Sequence, residues 1–185
     1  LDSFTERDLG VLTRMLTQRI NSPITTSAGR LFDAASAMVG LATVSSFEGQ
    51  GAMALEFAAS QDDPDPYPMA ITKAEGPLVL DWGPMIEAML ADIGAGIDAG
   101  IVASRFHAGL EHGIVEVARN VGHPRVALTG GCFQNRILTE RTAQALRADG
   151  FEVLLHSRVP PNDGGISLGQ AIVAAASTGQ DPATA

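Results

Sequence analysis

Apolar residues recur at three- and four-residue intervals near the start of the chain, where Leu9, Leu12, Leu16 and Ile20 form one stripe behind Thr5. That period predicts an amphipathic helix over 5–20 with the Thr5 hydroxyl as its N-cap. After the polar run NSPITTS the stripe resumes at Leu31, Ala35, Met38 and Val39, predicting a second helix over 28–39 that Gly40 stops. A third helix is expected from Glu48 to Ala59. The segment QDDPDPYP, residues 61–68, carries three prolines and three aspartates and reads as an exposed loop. Two short apolar runs follow, MAITKA and PLVLDW, and Glu75-Gly76 between them predicts a hairpin. Pro84 suits the first turn of a helix reaching Ile93. A longer helix is expected over 98–121, although Gly100, Gly109 and Gly113 weaken it by roughly 1 kcal/mol each at central positions.

The last third is the most regular part. A strand over 125–129 runs into Gly130-Gly131, and a helix then extends from Asn135 to Asp149, where Gly150 stops it. A strand over 151–156, the loop SRVPPNDGG and a helix over 166–177 complete the pattern, and the tail TGQDPATA is expected to fray. Strand, helix, strand and helix with crossovers of this length predict parallel strands. Ligands of open α/β sheets bind beyond the carboxyl ends of strands, and both glycine turns fall there.

Composition narrows the function classes. With 185 residues, 45% of them apolar, the chain is long enough for one domain with a core. A formal charge of -9 repels a phosphate backbone and argues against nucleic-acid binding, while a small nucleotide with a divalent ion remains compatible. A lone cysteine, Cys132, excludes an internal disulfide and points to a reducing, cytoplasmic setting. No apolar run approaches the roughly 20 residues of a membrane span. The opening LDSFTERDLG is acidic, lacks a signal-peptide core and lacks an initiator Met, so the chain is expected to be a piece of something longer.

Few residues propose chemistry by themselves. Gly130-Gly131 before a helix either brings backbone N–H groups close to an anion, with Asn135 as a side-chain partner, or makes an ordinary turn. Asp163 is either a hard-cation ligand or a helix N-cap. Asp33 lies mid-helix among apolar neighbours and needs a partner, a ligand or exposure to water. Cys132 beside Phe133 reads as a small hydrophobe rather than a nucleophile. His107 and His112, five apart, share no helical face for a zinc pair, and His123 and His156 flank strands as surface or structural residues.

Four blocks together carry a resemblance: SPITTSAGRLFDAASAMVGL, FEGQGAMALE, VALTGGCFQNRIL and VPPNDGGISLGQA. In this order, from about Ile20 to Ala175, they resemble the C-terminal part of the HypF family of hydrogenase-maturation carbamoyltransferases. The resemblance implies an α/β fold: residues 1–178 as the C-terminal lobe of a Kae1-like domain of the actin/Hsp70/sugar-kinase superfamily, with helices packed on a mixed sheet, and 179–185 as a frayed tail. It implies a cleft for ATP or carbamoyladenylate. GRLFDA is similar to the Kae1 block GEAFDK and places Asp33 at the nucleotide. FEGQG is similar to the PGGP turn and does the same for Gly49, with Gln50 where Kae1 has its second glycine. Gly130, Gly131 and Asn135 are implied at the nucleotide, and Asp163 as a ligand of a divalent metal, Mg or Fe.

The family's HxxxH histidines and its acylphosphatase-like, zinc-finger-like and YrdC-like segments do not occur in this sequence. The implied partners are therefore the missing lobe, the YrdC-like domain and HypE, whose C-terminal cysteine accepts the carbamoyl group on the way to a hydrogenase cyanide ligand. No nucleophile is implied here, and the chain alone is expected to be inactive. A related O-carbamoyl or tRNA threonylcarbamoyl transferase lobe is one alternative. A non-catalytic interaction module that self-associates as a homo-oligomer is the other.

Overall fold

A computed structural model describes residues 4–60, 64–73 and 76–177. Helices α1 (Glu6–Gln18), α2 (Ala28–Val39) and α3 (Gln50–Ala58) come first, followed by strands β1 (Ala70–Lys73) and β2 (Leu78–Asp81). Helices α4 (Gly83–Gly94) and α5 (Ala99–Val121) then lead into β3 (Arg125–Leu128), α6 (Arg136–Ala148), β4 (Glu152–Leu155) and α7 (Ile166–Ser177). Short 3-10 turns at Gly131–Gln134 and Asp163–Gly165 precede α6 and α7. Thr5 caps α1 in a reciprocal capping box with Asp8, and Gly40 ends α2 in a left-handed conformation, both as expected from the sequence. Helix α3 starts two residues later than expected because Gly49, at φ +80°, is its cap rather than its first turn. The expected fray of 179–185 and the Glu75 part of the hairpin turn lie outside the described residues.

Helix α5 is the axis of the fold. On one side Val102 and Phe106 join Phe32 of α2, Leu55 of α3 and Met85 and Met89 of α4, all at 1% exposure or less. Phe32 and Phe106 meet edge to face at 5.1 Å, a favourable geometry for two ring quadrupoles. Further along, Val115 and Ala118 pack with Leu128 of β3 and Ala143 and Leu146 of α6. Each large side chain buried this way contributes about 1.5–3 kcal/mol. The glycines that counted against this helix are where other elements touch it. A Cβ at Gly109 would stand 2.7 Å from the Tyr67 carbonyl oxygen.

The residues before β1 are clamped onto α4 and α5. The Tyr67 hydroxyl donates to Asp92 Oδ2 at 2.7 Å, and Arg105 Nη1 donates to the same oxygen at 2.6 Å. The Tyr67 hydrogen bond, then Arg105, holds the Asp92 carboxyl below its usual range, while burial raises the Tyr67 phenol.

The α/β class and the parallel pairing of β3 with β4 agree with the sequence, in the register Arg125↔Glu152 to Leu128↔Leu155. The antiparallel hairpin β1–β2 is also present. The described strands nevertheless form two separate two-stranded ribbons rather than one continuous mixed sheet. They pack on different faces of the same C-terminal stretch of α5, the hairpin against His112, Gly113 and Glu116 and β3 against Val115 and Ala118. Helices α1 and α7 bury none of their described residues, and Leu16 and Val173 are 69% and 66% exposed.

Candidate functional site

Beyond the carboxyl ends of β3 and β4 the chain makes two loops that are bonded to each other. Gly130 N–H donates to the Pro161 carbonyl at 2.8 Å, and His156 Nε2 lies 2.9 Å from the Thr129 hydroxyl. The Gly130-Gly131 turn and Asp163 therefore share one end of this ribbon. Gly130 has φ +100° and ψ 158°, a region that side-chain-bearing residues essentially do not enter. A Cβ built on Gly130 or on Gly131 would meet nothing within 4 Å. Among the described residues, the N–H groups of Gly131 and Cys132 have no acceptor, so the turn carries two adjacent unpaired donors.

The helix beyond this turn is less open than its sequence suggests. Asn135 caps α6 by accepting the Leu138 N–H on Oδ1 at 2.9 Å. Its Nδ2 lies 2.9 Å from His107 Nε2 on α5. Asn135 was expected as a side-chain partner of a nucleotide; it is 6% exposed, and both ends of its amide are engaged inside the protein. Glu56 of α3 accepts the Arg136 N–H at 2.7 Å. Two of the first-turn donors of α6, the N–H groups of Arg136 and Leu138, are thus satisfied internally.

Asp33 and Gly49 come together elsewhere. With Ser27, Arg30, Phe47 and Glu48 they line a concavity of about 640 Å³. Arg30 Nη2 pairs with Asp33 Oδ2 at 2.9 Å, which answers the need of this mid-helix carboxylate for a partner. Gly51 makes the closeness of α3 to Asp33 feasible, since a Cβ there would stand 2.9 Å from Asp33 Oδ1. The two groups of candidates are joined through the fold. The 3-10 turn after Gly130 packs on α2, and Glu56 ties α3 to the start of α6. A second concavity, about 430 Å³ between the hairpin and α5, holds none of the expected residues.

Asp163 is exposed, and the capping role goes to its neighbour Asn162, whose side chain accepts the Gly164 N–H at 3.1 Å. Among the described residues no three side chains of His, Cys, Asp or Glu group as a metal site, so these residues alone do not fit a resident metal ion. Cys132 is half-buried against the main core, and burial pushes its thiol pKa up, as suits a small hydrophobe. His107 is buried and His112 exposed, so they face different surroundings.

Sequence reasoning missed Arg30, Gly51, Glu56 and His107. Arg30 and Gly51 lie inside the very blocks GRLFDA and FEGQG. For Glu56 and His107 no local signal exists, because their partners are 80 and 28 residues away.

Residues 2–170 match the model of the family described as "Carbamoyltransferase, Kae1-like Domain, second subdomain". The chain is 39% identical over 158 residues to carbamoyltransferase HypF of Synechocystis sp., covering 85% of this chain and 20% of that protein. It is 42% identical over 165 residues to carbamoyltransferase HypF of Rhizobium leguminosarum bv. viciae, covering 86% and 21%. Among solved structures, full-length HypF in the phosphate- and nucleotide-bound form superposes with a TM-score of 0.87 at 33% identity, covering 94% of this chain and 23% of that one. The chain thus spans about a fifth of the length of these relatives. Fold, ordered motifs and these likenesses agree: the chain belongs to the HypF carbamoyltransferase family and corresponds to the second subdomain of its Kae1-like domain.

Proposed function

We propose that this chain forms one wall of the nucleotide site of a carbamoyltransferase that passes a carbamoyl group from carbamoyladenylate to the C-terminal cysteine of HypE, for the cyanide ligand of a NiFe hydrogenase. The observation that carries this reading is the unpaired Gly131–Cys132 donor pair, next to a Gly130 backbone that only glycine adopts. Unused, pre-oriented N–H groups of this kind stabilise a phosphate and the charge that develops on it. Gly130 and Gly131 receive the phosphate in this reading. Asp33 and Gly49 contribute from the second concavity, and Asn135 acts through the turn it holds. The phosphate- and nucleotide-bound state of the HypF relative supports the same class of ligand.

The chemistry asks little covalent work of these residues. A thiolate attacks the carbonyl carbon of the carbamic–phosphoric anhydride, the C–S bond forms, the C–O bond to phosphate breaks, and AMP leaves with that electron pair. The anhydride is already activated, so the protein's part is to position it and to stabilise the departing phosphate oxygen. The nucleophile comes from the partner. A divalent ion at Asp163 needs ligands beyond those this chain groups together, and the steps above do not depend on one. A cytoplasmic setting fits both the reading and the free thiol.

Calorimetric titration with ATP and Mg²⁺ tests the nucleotide wall. Saturable binding is expected, and Asp33→Ala is expected to weaken it about 10-fold or more, as for loss of a charged hydrogen-bonding partner. A folded chain that takes up no heat, or an unaltered affinity in the variant, counts against the site. The chain alone, given carbamoyl phosphate, ATP and HypE, is expected to transfer no carbamoyl group, because nothing in it forms the adenylate; labelled carbamoyl on HypE would overturn this.

A second reading, a non-catalytic association module, is favoured by the unburied apolar faces of α1 and α7. Sedimentation across a concentration series separates the two readings.

A further inference from the structure

His107 takes no part in any role assigned so far, yet it is 1% exposed and fully hydrogen-bonded. Its Nδ1 lies 2.7 Å from the Ala103 carbonyl, which only accepts, so Nδ1 carries a proton. Its Nε2 faces the Asn135 amide at 2.9 Å, while Asn135 Oδ1 already accepts the Leu138 N–H. Only one arrangement satisfies all three contacts: a neutral imidazole accepting on Nε2 from Asn135 Nδ2. Phe32 and Phe106 enclose the ring edge-on at 5.7 and 5.9 Å, which excludes water and fixes its plane.

We propose that His107 is a positioning residue for the nucleotide site, setting the amide orientation of Asn135 and through it the cap of α6 and the Gly130–Gln134 turn. The inference rests on the nucleotide reading of that turn. Protonating Nε2 would place a second donor against the Asn135 amide. Turning the amide to accept that proton would then aim Nδ2 at the Leu138 N–H, donor against donor, and uncap the helix.

The surroundings keep the ring neutral. Burial lowers its pKa from the ordinary 6.5, and Arg141 of α6 adds to this, against the Ala103 carbonyl and Glu56 of α3. Arg141 is itself paired with Glu111 at 2.8 Å, and Glu56 is engaged by the Arg136 N–H. The sign follows from a depressed folded value. The stability that the neutral ring contributes is complete above the ordinary value of 6.5, and the cap itself is lost only as pH falls through the lower folded pKa.

Three forms of the chain test this: wild type, His107→Leu, which removes the acceptor, and His107→Gln, which restores an acceptor near Nε2 without titrating. Each is titrated with ATP and Mg²⁺ from about pH 8 to about pH 5.5, across the range where an imidazole changes charge, with hydrogen exchange read at the Leu138 amide. The leucine variant is expected to bind about tenfold more weakly at pH 8 and to exchange Leu138 faster, the glutamine variant to stay near wild type. Wild-type affinity is expected to fall in acid more steeply than that of the glutamine variant; titration of the nucleotide itself is common to both. A folded leucine variant with wild-type affinity and exchange overturns the proposal, as does an identical acid fall in the glutamine variant. Should the wild-type chain bind no ATP, the site reading fails by itself. The proposal then fails with it unless Leu138 exchange still follows residue 107 and pH, which upholds the positioning of the turn. If His107→Leu does not fold, the wild-type and glutamine profiles decide.

Discussion

Gly130→Ala is expected to abolish saturable ATP binding and to lower the stability of the chain by about 1–3 kcal/mol, the cost of forcing a side chain into this backbone region. No clash contributes, since an added Cβ meets nothing within 4 Å. The cost comes from φ +100° with ψ 158°. Relaxing that conformation turns the 130 peptide and breaks its hydrogen bond to Pro161, which separates the two loops at the end of the β3–β4 ribbon. Gly131→Ala is the informative comparison, because Gly131 has no positive φ and equal space around it. Its stability should stay within about 0.5 kcal/mol of wild type, while its new methyl occupies the volume a phosphate would take. Urea unfolding and calorimetry on both variants make the measurement. A Gly130→Ala chain that keeps both stability and binding would remove this turn from the site.

Gly109→Ala is expected to lower Tm by about 4–8 °C, although alanine is the better helix former. Helix propensity alone favours the variant by about 1 kcal/mol. Against that, the new Cβ would stand 2.5 Å from Met85 Cε and 2.7 Å from the Tyr67 carbonyl oxygen. The methionine tip can swing aside. The Tyr67 backbone cannot, because its N–H donates to the Arg105 carbonyl at 3.3 Å and its hydroxyl is fixed on Asp92. Overpacking against a fixed backbone, at the upper end of about 1–3 kcal/mol, outweighs the propensity gain by about 2 kcal/mol. A rise in Tm would mean instead that the Tyr67 segment yields freely and that close approach does not explain the glycine.

These glycines show where the sequence is legible and where it is not. Local signals carried well: α2 begins at Ala28 and ends before Gly40 as its apolar stripe and stop residue require. The strand–helix–strand pattern after 125 carried the parallel pairing, because a crossover the length of α6 leaves little else. Gly100, Gly109 and Gly113 misled in energy, not in placement, since the residues that lie against them come from other elements. Asp163 and Asn162 have the same local capping chemistry, and only the three-dimensional turn shows that Asn162 takes that role. Motif resemblance grouped Asp33 with Gly49, and the two do share a concavity. The orientation of Asn135 was out of reach, since it depends on which nitrogen of a distant buried imidazole bears hydrogen.

The Glu56 contact with the Arg136 N–H has a mechanical consequence. It joins the helix after Gly49 to the helix after Gly131, and both rest on α5 through one shared core. Close-packed interiors shift between discrete arrangements rather than stretch, so the Gly49 and Gly131 walls translate and rotate together as a single stiff plate. Asp163 lacks that backing. Its turn reaches the plate through the Gly130–Pro161 bond, and the helix it leads into buries none of its described residues. Compliance is therefore concentrated on the Asp163 side, and the aim of that carboxylate follows whatever rests on α7.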